Sequence, residues 1–449
     1  MPEIIYPPFA RNRGPGYWLR ASNLLAARRK LRLDYTNEWR YSFGEPSPLN
    51  RSFPISQLFP PRTDKSYCVL VLGDTGEGDR SQYGLLPLIR HLQPNMMIIN
   101  GDVAYPAGRA GSGNRQDDDF LVGFFEPYSN LGIPIWATPG NHEYYSQGEG
   151  REFYSIFCTK TFDRLWSQYG LPHHALQPGM YWELRDDERN LILIGLDSGK
   201  AANLDGHNDW WQFWKRRIGP DSRQHAWLDD RLRRADRRGA TAIVMFHIPS
   251  LVRGKHDGNW LSTVHQLIAA HPSVRLLITG HEHNYQAYEA AEFGRYLADE
   301  HGTTTTGCHY IVSGGGGAAL HSTDYADVPY HSVRYPSADD WPSIASYGRR
   351  VLAHIGRDRG AIAKVVGTLD RDARTDADAA QYLSFVHILS RPTGDALRPW
   401  ETVVTPVFMD NLKRLFDKTA IVDVMATANP IIKHKADDCL KLLHSITLK

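Results

Sequence analysis

The feature that most constrains this chain is a series of short apolar runs, each ending abruptly in a polar or glycine-rich turn. YCVLVL (67–72), MMIIN (96–100), IPIWAT (133–138), LILIGL (191–196), TAIVMF (241–246) and VRLLIT (274–279) have the length and branching of buried strands. Between them lie stretches of helical spacing, QYGLLPLIRHL (82–92) and RQHAWLDDRLRRADRRG (223–239). Strands alternating with helices predict an α/β fold with sheet interiors buried on both faces. The later runs CHYIVSGG (308–315), AIAKVVGTLD (361–370) and QYLSFVHILS (381–390) have no helices between them, which predicts added antiparallel strands or a second sheet.

The rest of the chain is organised around this block. Residues 1–65 are rich in proline, arginine and aromatics without a period, so an irregular lead-in is expected, with one short helix at ASNLLAARRKLR (21–32). The segment 396–449 carries VFMDNLKRLFDK (407–418) and KHKADDCLKLLHSI (433–446), whose apolar residues recur at helical spacing and predict a helical tail with a packing role. A chain of 449 residues holds two or three average domains or one large α/β domain with insertions.

Charge and cysteines exclude several classes. The net charge of +1 gives no global basic field, so no nucleic-acid partner is expected. The basic run RLRRADRR (231–238) falls on a predicted helix and reads as a solvated face. Cys68, Cys158, Cys308 and Cys439 are scattered without CxxC spacing, which speaks against a zinc ribbon or a disulfide framework; Cys68 and Cys308 sit in strand-like runs and read as core. MPEIIYPPFARNRGPGYW (1–18) lacks a continuous apolar signal core, and no apolar segment approaches membrane-spanning length. A soluble, cytoplasmic protein without a membrane span is the expectation, and no protein partner can be named.

The residues just past each strand carry the chemistry. YCVLVL leads to Asp74, and MMIIN to Asp102 with Tyr105 three residues on; IPIWAT leads to Asn141 and His142, TAIVMF to His247, and VRLLIT to His281 and His283. Ligands of open α/β sheets bind outside the carboxyl ends of the strands, so residues distant in sequence can meet there. His142 apart, two carboxylates, a phenol, a carboxamide and three imidazoles are oxygen and nitrogen donors without thiolates, suited to iron, manganese or zinc. Seven donors exceed the three typical of one catalytic zinc and suit two adjacent ions sharing a carboxylate.

The ordered series GDxG, GDxxY, GNHE, VxxH and GHxH resembles the calcineurin-like metallophosphoesterase superfamily and, within it, the purple acid phosphatases. The resemblance spans about residues 67–318. QHAWLDDRL (224–232) before the VxxH strand and YIVSGGGGA (310–318) after the GHxH turn are also family-like. Most of the superfamily opens with Asp-x-His, where this chain has Gly76; the purple acid phosphatases carry a tyrosine ligand instead, and Tyr105 stands at its place. The resemblance implies an αββα sandwich of two sheets flanked by helices, in a catalytic domain at 66–395. It implies one ion, iron, on Asp74, Tyr105 and His283, and a second, iron, zinc or manganese, on Asn141, His247 and His281, with Asp102 bridging. The implied activity is phosphate ester hydrolysis, of monoesters first, by water acidified on the metals, with His142 protonating the leaving group.

Other positions carry open alternatives. His256, in SLVRGKHDGN (250–259), reads equally as a second proton donor or phosphate contact, with Arg253 and Lys255, or as part of a solvated loop. Asp197 ends a strand but has no ligand slot in the series, which favours a structural role. SGGGGAAL (313–320) lacks the GK[ST] of a nucleotide-binding loop, so its glycines are expected to let backbone pass close to the site. Tyr144, Tyr145, Trp210 and Trp211 either line a substrate cleft or pack an excursion. The alternative activities are a phosphodiesterase or nuclease of the same superfamily, and a non-catalytic binding protein on this fold. The family's secreted members have a signal peptide and its plant members an N-terminal sandwich domain; neither pattern is visible in residues 1–65.

Overall fold

Each apolar run forms a strand whose side chains alternate between two hydrophobic layers, the period-two consequence of a pleated backbone. In the computed structural model the described residues are 52–55, 60–111 apart from 77, 79–81 and 84, 117–172 apart from 147 and 149, 177–198, 222–249, 251, 258–318 apart from 306, 333–335, 383–409 apart from 398, 440–442 and 446–448. They build two sheets. The first contains β1 (Ser52–Pro54), β5 (Trp182–Asp186), β6 (Leu191–Gly195), β7 (Thr241–Met245), β8 (Val274–Thr279), β10 (His309–Ser313), β9 (Tyr285–Tyr288) and β11 (Val333–Tyr335), in that spatial order. The second runs β14 (Leu440–Leu442), β13 (Trp400–Met409), β12 (Ser384–Pro392), β2 (Tyr67–Leu72), β3 (Met96–Asn100) and β4 (Ile135–Thr138), with β15 (Ile446–Leu448) also on β13. β6, β7, β8 and β10 are parallel neighbours in one sheet, as are β2, β3 and β4 in the other.

The alternation yields three apolar layers. Tyr67, Val69 and Val71 of β2, Met96 and Ile98 of β3 and Trp136 of β4 face Leu191 and Leu193 of β6, Ile243 and Met245 of β7 and Ile311 of β10 between the sheets. The opposite faces of β2 and β3 (Cys68, Leu70, Leu72, Met97, Ile99) pack on Phe120, Phe124, Phe157 and Trp166. Those of β6 and β7 (Ile192, Ile194, Ala242, Val244) pack on Leu228 and Leu232 of the Ser222–Arg238 helix and on Val264 and Ile268 of the Gly258–Ala270 helix. The protein is therefore a mixed α/β structure of two sheets flanked by helices, the metallophosphoesterase arrangement.

Three expectations are corrected. The tail read as helical is extended where it is described: Val407, Phe408 and Met409 end β13, and the other described pieces are β14 and β15. The reason is the alternation in WETVVTPVFM (400–409), β-branched on both faces, which pairs with β12 from Trp400 to Phe408. Within the lead-in read as irregular, Ser52–Pro54 forms β1 by parallel pairing to β5. The basic run is also not wholly a solvated face. Arg233 and Arg234 pair with Asp229 and Asp230 one turn earlier, but Arg231 is buried with Glu183 of β5 at 3.5 Å. Cys68 and Cys308 are buried core thiols. The expected helix at 21–32 and strand at 361–370 lie outside the described residues. No described helix is long and apolar enough to cross a membrane.

Candidate metal centre

β2, β3, β4, β7 and β8 all end at one edge of the two sheets, and their connecting turns hold the side chains that the sequence singles out. Asp74, Asp102 and His281 adopt left-handed backbone, with φ of 60°, 50° and 68°. A non-glycine residue there costs on the order of 1–3 kcal/mol, and such strain concentrates at functional sites. The sharp turns bring the chain round so that Asp74 accepts from the His281 N–H through Oδ2 (2.7 Å) and Asp102 accepts from the His142 N–H through Oδ1 (2.9 Å). The other oxygen of each carboxylate faces the centre.

Donor atoms of Asp74, Asp102 and His283 form one group within 4.8 Å, and those of Asp102, His247 and His281 form another. Asp102 is common to both. The Tyr105 phenol joins the first group, 3.1 Å from Asp74 Oδ1, 3.1 Å from Asp102 Oδ2 and 3.0 Å from His283 Nε2. Asn141 Oδ1 joins the second, 2.9 Å from His281 Nδ1 and 3.2 Å from His247 Nε2. His247 Nε2 lies 3.1 Å from Asp102 Oδ2, while its Nδ1 is held by the Asn100 carbonyl at 3.0 Å. That last bond fixes the ring so that Nε2 points inward, the outer support typical of metal-binding imidazoles.

The donor set fits two cations. Asp74 and Asp102 are 0% and 1% exposed, and among the described residues neither pairs with a lysine or arginine. Buried carboxylates need a counter-charge. With the protein's own groups alone, a proton supplies it. Burial would lower the His247 pKa, but Asp102 and then Asp74 outweigh it and push it up to about 10. Asp102 correspondingly lies below the usual carboxylate range, because His247 and His142 outweigh its burial. Burial and then the charge on His247 push His281 down to about 4.

Gly76 explains how Tyr105 enters. A Cβ at Gly76 would lie 2.0 Å from the Val103 carbonyl oxygen, so this backbone has no room for a histidine there. The Tyr105 N–H instead donates to the Gly76 carbonyl at 3.1 Å, which docks the 103–105 segment and delivers the phenol. Gly314 makes the other close approach: a Cβ would sit 2.7 Å from Asp74 Oδ2. The glycine run thus lets backbone pass directly beneath a donor carboxylate.

His142 stands at the rim, with its side chain 20% exposed and Nε2 3.9 Å from Asp102 Oδ2. Its Nδ1 is fixed by the Pro106 carbonyl at 2.7 Å, and burial lowers its pKa against the opposing pull of Asp102. Tyr144 and Tyr145 diverge. Tyr144 is buried and donates to Asp197 at 2.5 Å, so Asp197 has the structural role expected of it. Tyr145 turns the other way and accepts from Asn141 Nδ2 at 2.7 Å. His256, Arg253, Lys255, Trp210 and Trp211 lie outside the described residues.

Two supporting residues escaped the sequence reading. Glu143 is fully buried and accepts from the N–H groups of Asp102 (3.0 Å), Ala104 (3.0 Å) and Gly140 (2.7 Å). Burial and then Asp102 push its carboxyl up to about 8; its oxygens accept those bonds in either protonation state. Asn100 donates to the carbonyls of Phe246 (3.1 Å) and Ile278 (3.0 Å), binding the end of β3 to the ends of β7 and β8 across the sandwich. A polar residue closing an apolar strand was the available signal for Asn100, and the last letter of GNHE for Glu143.

The fold and donor set present two candidate cation sites that share Asp102. Residues 68–285 match the family model described as calcineurin-like phosphoesterase, a span that contains every proposed metal donor. Over that span the chain is similar to calcineurin-like phosphoesterases, a family whose members bind two metal ions. Among solved structures, the chain resembles GAP50, described as the anchor in the inner membrane complex of Plasmodium, at 12% identity over 79% of this chain and 85% of that one, with a TM-score of 0.45. It also resembles a dimetal phosphatase from Danio rerio at 14% identity over 55% of this chain and 86% of that one, with a TM-score of 0.37. No curated protein matches the chain.

Proposed function

We propose that the protein is a dinuclear phosphohydrolase acting on phosphomonoesters, of the purple acid phosphatase type. The observation that carries this reading is the Tyr105 oxygen, within hydrogen-bonding distance of Asp74, Asp102 and His283 at once. An anionic phenolate is a hard donor that favours a ferric ion. In this reading Asp74, Tyr105 and His283 hold iron, Asn141, His247 and His281 hold iron, zinc or manganese, and Asp102 serves both.

When bound, such ions supply Lewis acidity towards phosphate oxygens and an acidified water as nucleophile. The chain's residues do the rest. The buried carboxylates and the inward-facing nitrogen of His247 keep the donors apart and oriented. His142, anchored at Nδ1 by the Pro106 carbonyl, presents Nε2 at the rim, where a protonated imidazole hands its proton to the departing alkoxide. His256 is a second candidate donor on the same reading.

The test is turnover of p-nitrophenyl phosphate against bis(p-nitrophenyl) phosphate by protein loaded aerobically with iron, with metal analysis and a visible spectrum. Monoester preference with visible absorption that Tyr105→Phe abolishes supports the proposal. Preference for the bis ester favours a phosphodiesterase, and metal binding without turnover a binding protein. Activity in a colourless zinc or manganese protein removes the purple acid phosphatase assignment and keeps the phosphohydrolase.

A further inference from the structure

We infer that Tyr145 is a positioning residue that holds the Asn141 carboxamide with its oxygen on the His247/His281 half of the centre, an inference that rests on the two-metal reading of the site. Asn141 supplies the uncharged oxygen among the proposed donors, beside the carboxylates of Asp74 and Asp102 and the Tyr105 phenol. A neutral carbonyl binds a cation more weakly than these, and its short side chain can turn its amino group inward instead. A ligand of this kind depends on what grips its other end.

The local fold supplies that grip. His142–Tyr144 forms one tight 3-10 turn, with the Tyr144 N–H bonded to the Asn141 carbonyl at 3.1 Å and the Tyr145 N–H to the His142 carbonyl at 3.2 Å. A turn this tight reverses the chain within a few residues, so the side chain just after it can reach back to the residue just before it. Tyr145 therefore returns to Asn141 and takes its Nδ2–H at 2.7 Å, leaving Oδ1 at 2.9 and 3.2 Å from His281 and His247. The Tyr145 ring leans edge-on against His142 at 4.9 Å, so the phenol has a fixed place.

Tyr144 is a matched control, since its hydroxyl serves Asp197 instead. Zn²⁺ binding is measured by equilibrium dialysis with metal analysis for the full-length wild type, Tyr145→Phe and Tyr144→Phe, with melting temperatures alongside. Tyr145→Phe should keep one ion at wild-type affinity and bind the other about 10–100-fold more weakly, the usual effect of removing an outer support. Tyr144→Phe should bind both like wild type, whatever its melting temperature. Wild-type binding of both ions by Tyr145→Phe overturns the inference and leaves the metal centre standing. Equal weakening of both ions would assign Tyr145 to loop packing and overturn it too. A wild type that binds fewer than two Zn²⁺ removes the metal reading itself, and the inference with it.

Discussion

At the scale of single residues, the centre is governed by which groups carry protons. A metal-binding imidazole must be unprotonated, so the about 10 of His247 means that a cation entering below that pH displaces a proton. His281, pushed down to about 4, is already unprotonated above pH 5 and contributes none. Affinity for Zn²⁺ should therefore fall as pH falls, by about tenfold per unit for a one-proton exchange. Calorimetry between pH 6 and 8, in buffers of different ionisation heat, should detect at least one proton released from the pair of sites. Affinity flat across that range, with no proton release, would show that Asp102 does not hold His247 charged. His142 makes a different claim. If its Nε2 supplies the leaving-group proton, His142→Ala should lower kcat by roughly 10²–10⁴ on phenyl phosphate. The loss should shrink on dinitrophenyl phosphate, whose leaving group departs without help. Equal losses on both substrates would assign His142 to another task.

At the scale of elements, the strand ends act together only because a second set of contacts aligns the turns. Glu143 binds the turn after β3 to the turn after β4 through the N–H groups of Asp102, Ala104 and Gly140. Glu143→Leu would leave those buried donors without an acceptor, at roughly 1–3 kcal/mol for each buried group left unpaired. Because the displaced turn carries Asp102, the shared donor, content of both ions should fall together, unlike the one-sided loss predicted for Tyr145→Phe. Metal analysis and urea unfolding of Glu143→Leu check this, and loss of a single ion would count against Asp102 serving both groups. That the donor side chains would converge was legible in the sequence, since each comes after an apolar run with the length and branching of a buried strand. Their supports were not, because Glu143 and Asn100 act through backbone groups that are neighbours only after folding. The tail misled for a related reason: apolar residues in VFM and CLKLL satisfy a helical period locally, whereas long-range pairing sets the extended state of β13 and β14. Nothing near β2 announces that β12, more than three hundred residues later, pairs with it from Tyr67 to Val71.

At the scale of the whole molecule, the two sheets must be held in register for five strand ends to meet, and the edge opposite the centre supplies one fastening. β2, β6 and β7 all begin there, since their other ends lead to Asp74, Asp197 and His247. Arg189, in the turn between β5 and β6, has a fully buried side chain. It pairs with Asp186 at 2.8 Å, donates to the Lys65 carbonyl just before β2, and lies 4.4 Å from the centre of the Trp400 ring at the start of β13. One guanidinium therefore joins the first sheet to two strands of the second. Asp186 is only 3% exposed, so removing its partner strands a buried charge. Breaking a buried pair from one side costs about 3–5 kcal/mol, whereas replacing both members by apolar groups is often nearly neutral. Arg189→Met should thus lower the unfolding free energy by about that amount, and Arg189→Met with Asp186→Leu should recover most of it, as read from urea midpoints. Both variants should keep wild-type metal content in the folded protein, because the change lies a full strand length from the donors. If the double variant were as unstable as the single, the stranded carboxylate would not be the cause. The contact with Trp400 and the Lys65 carbonyl would then be what fastens the sheets.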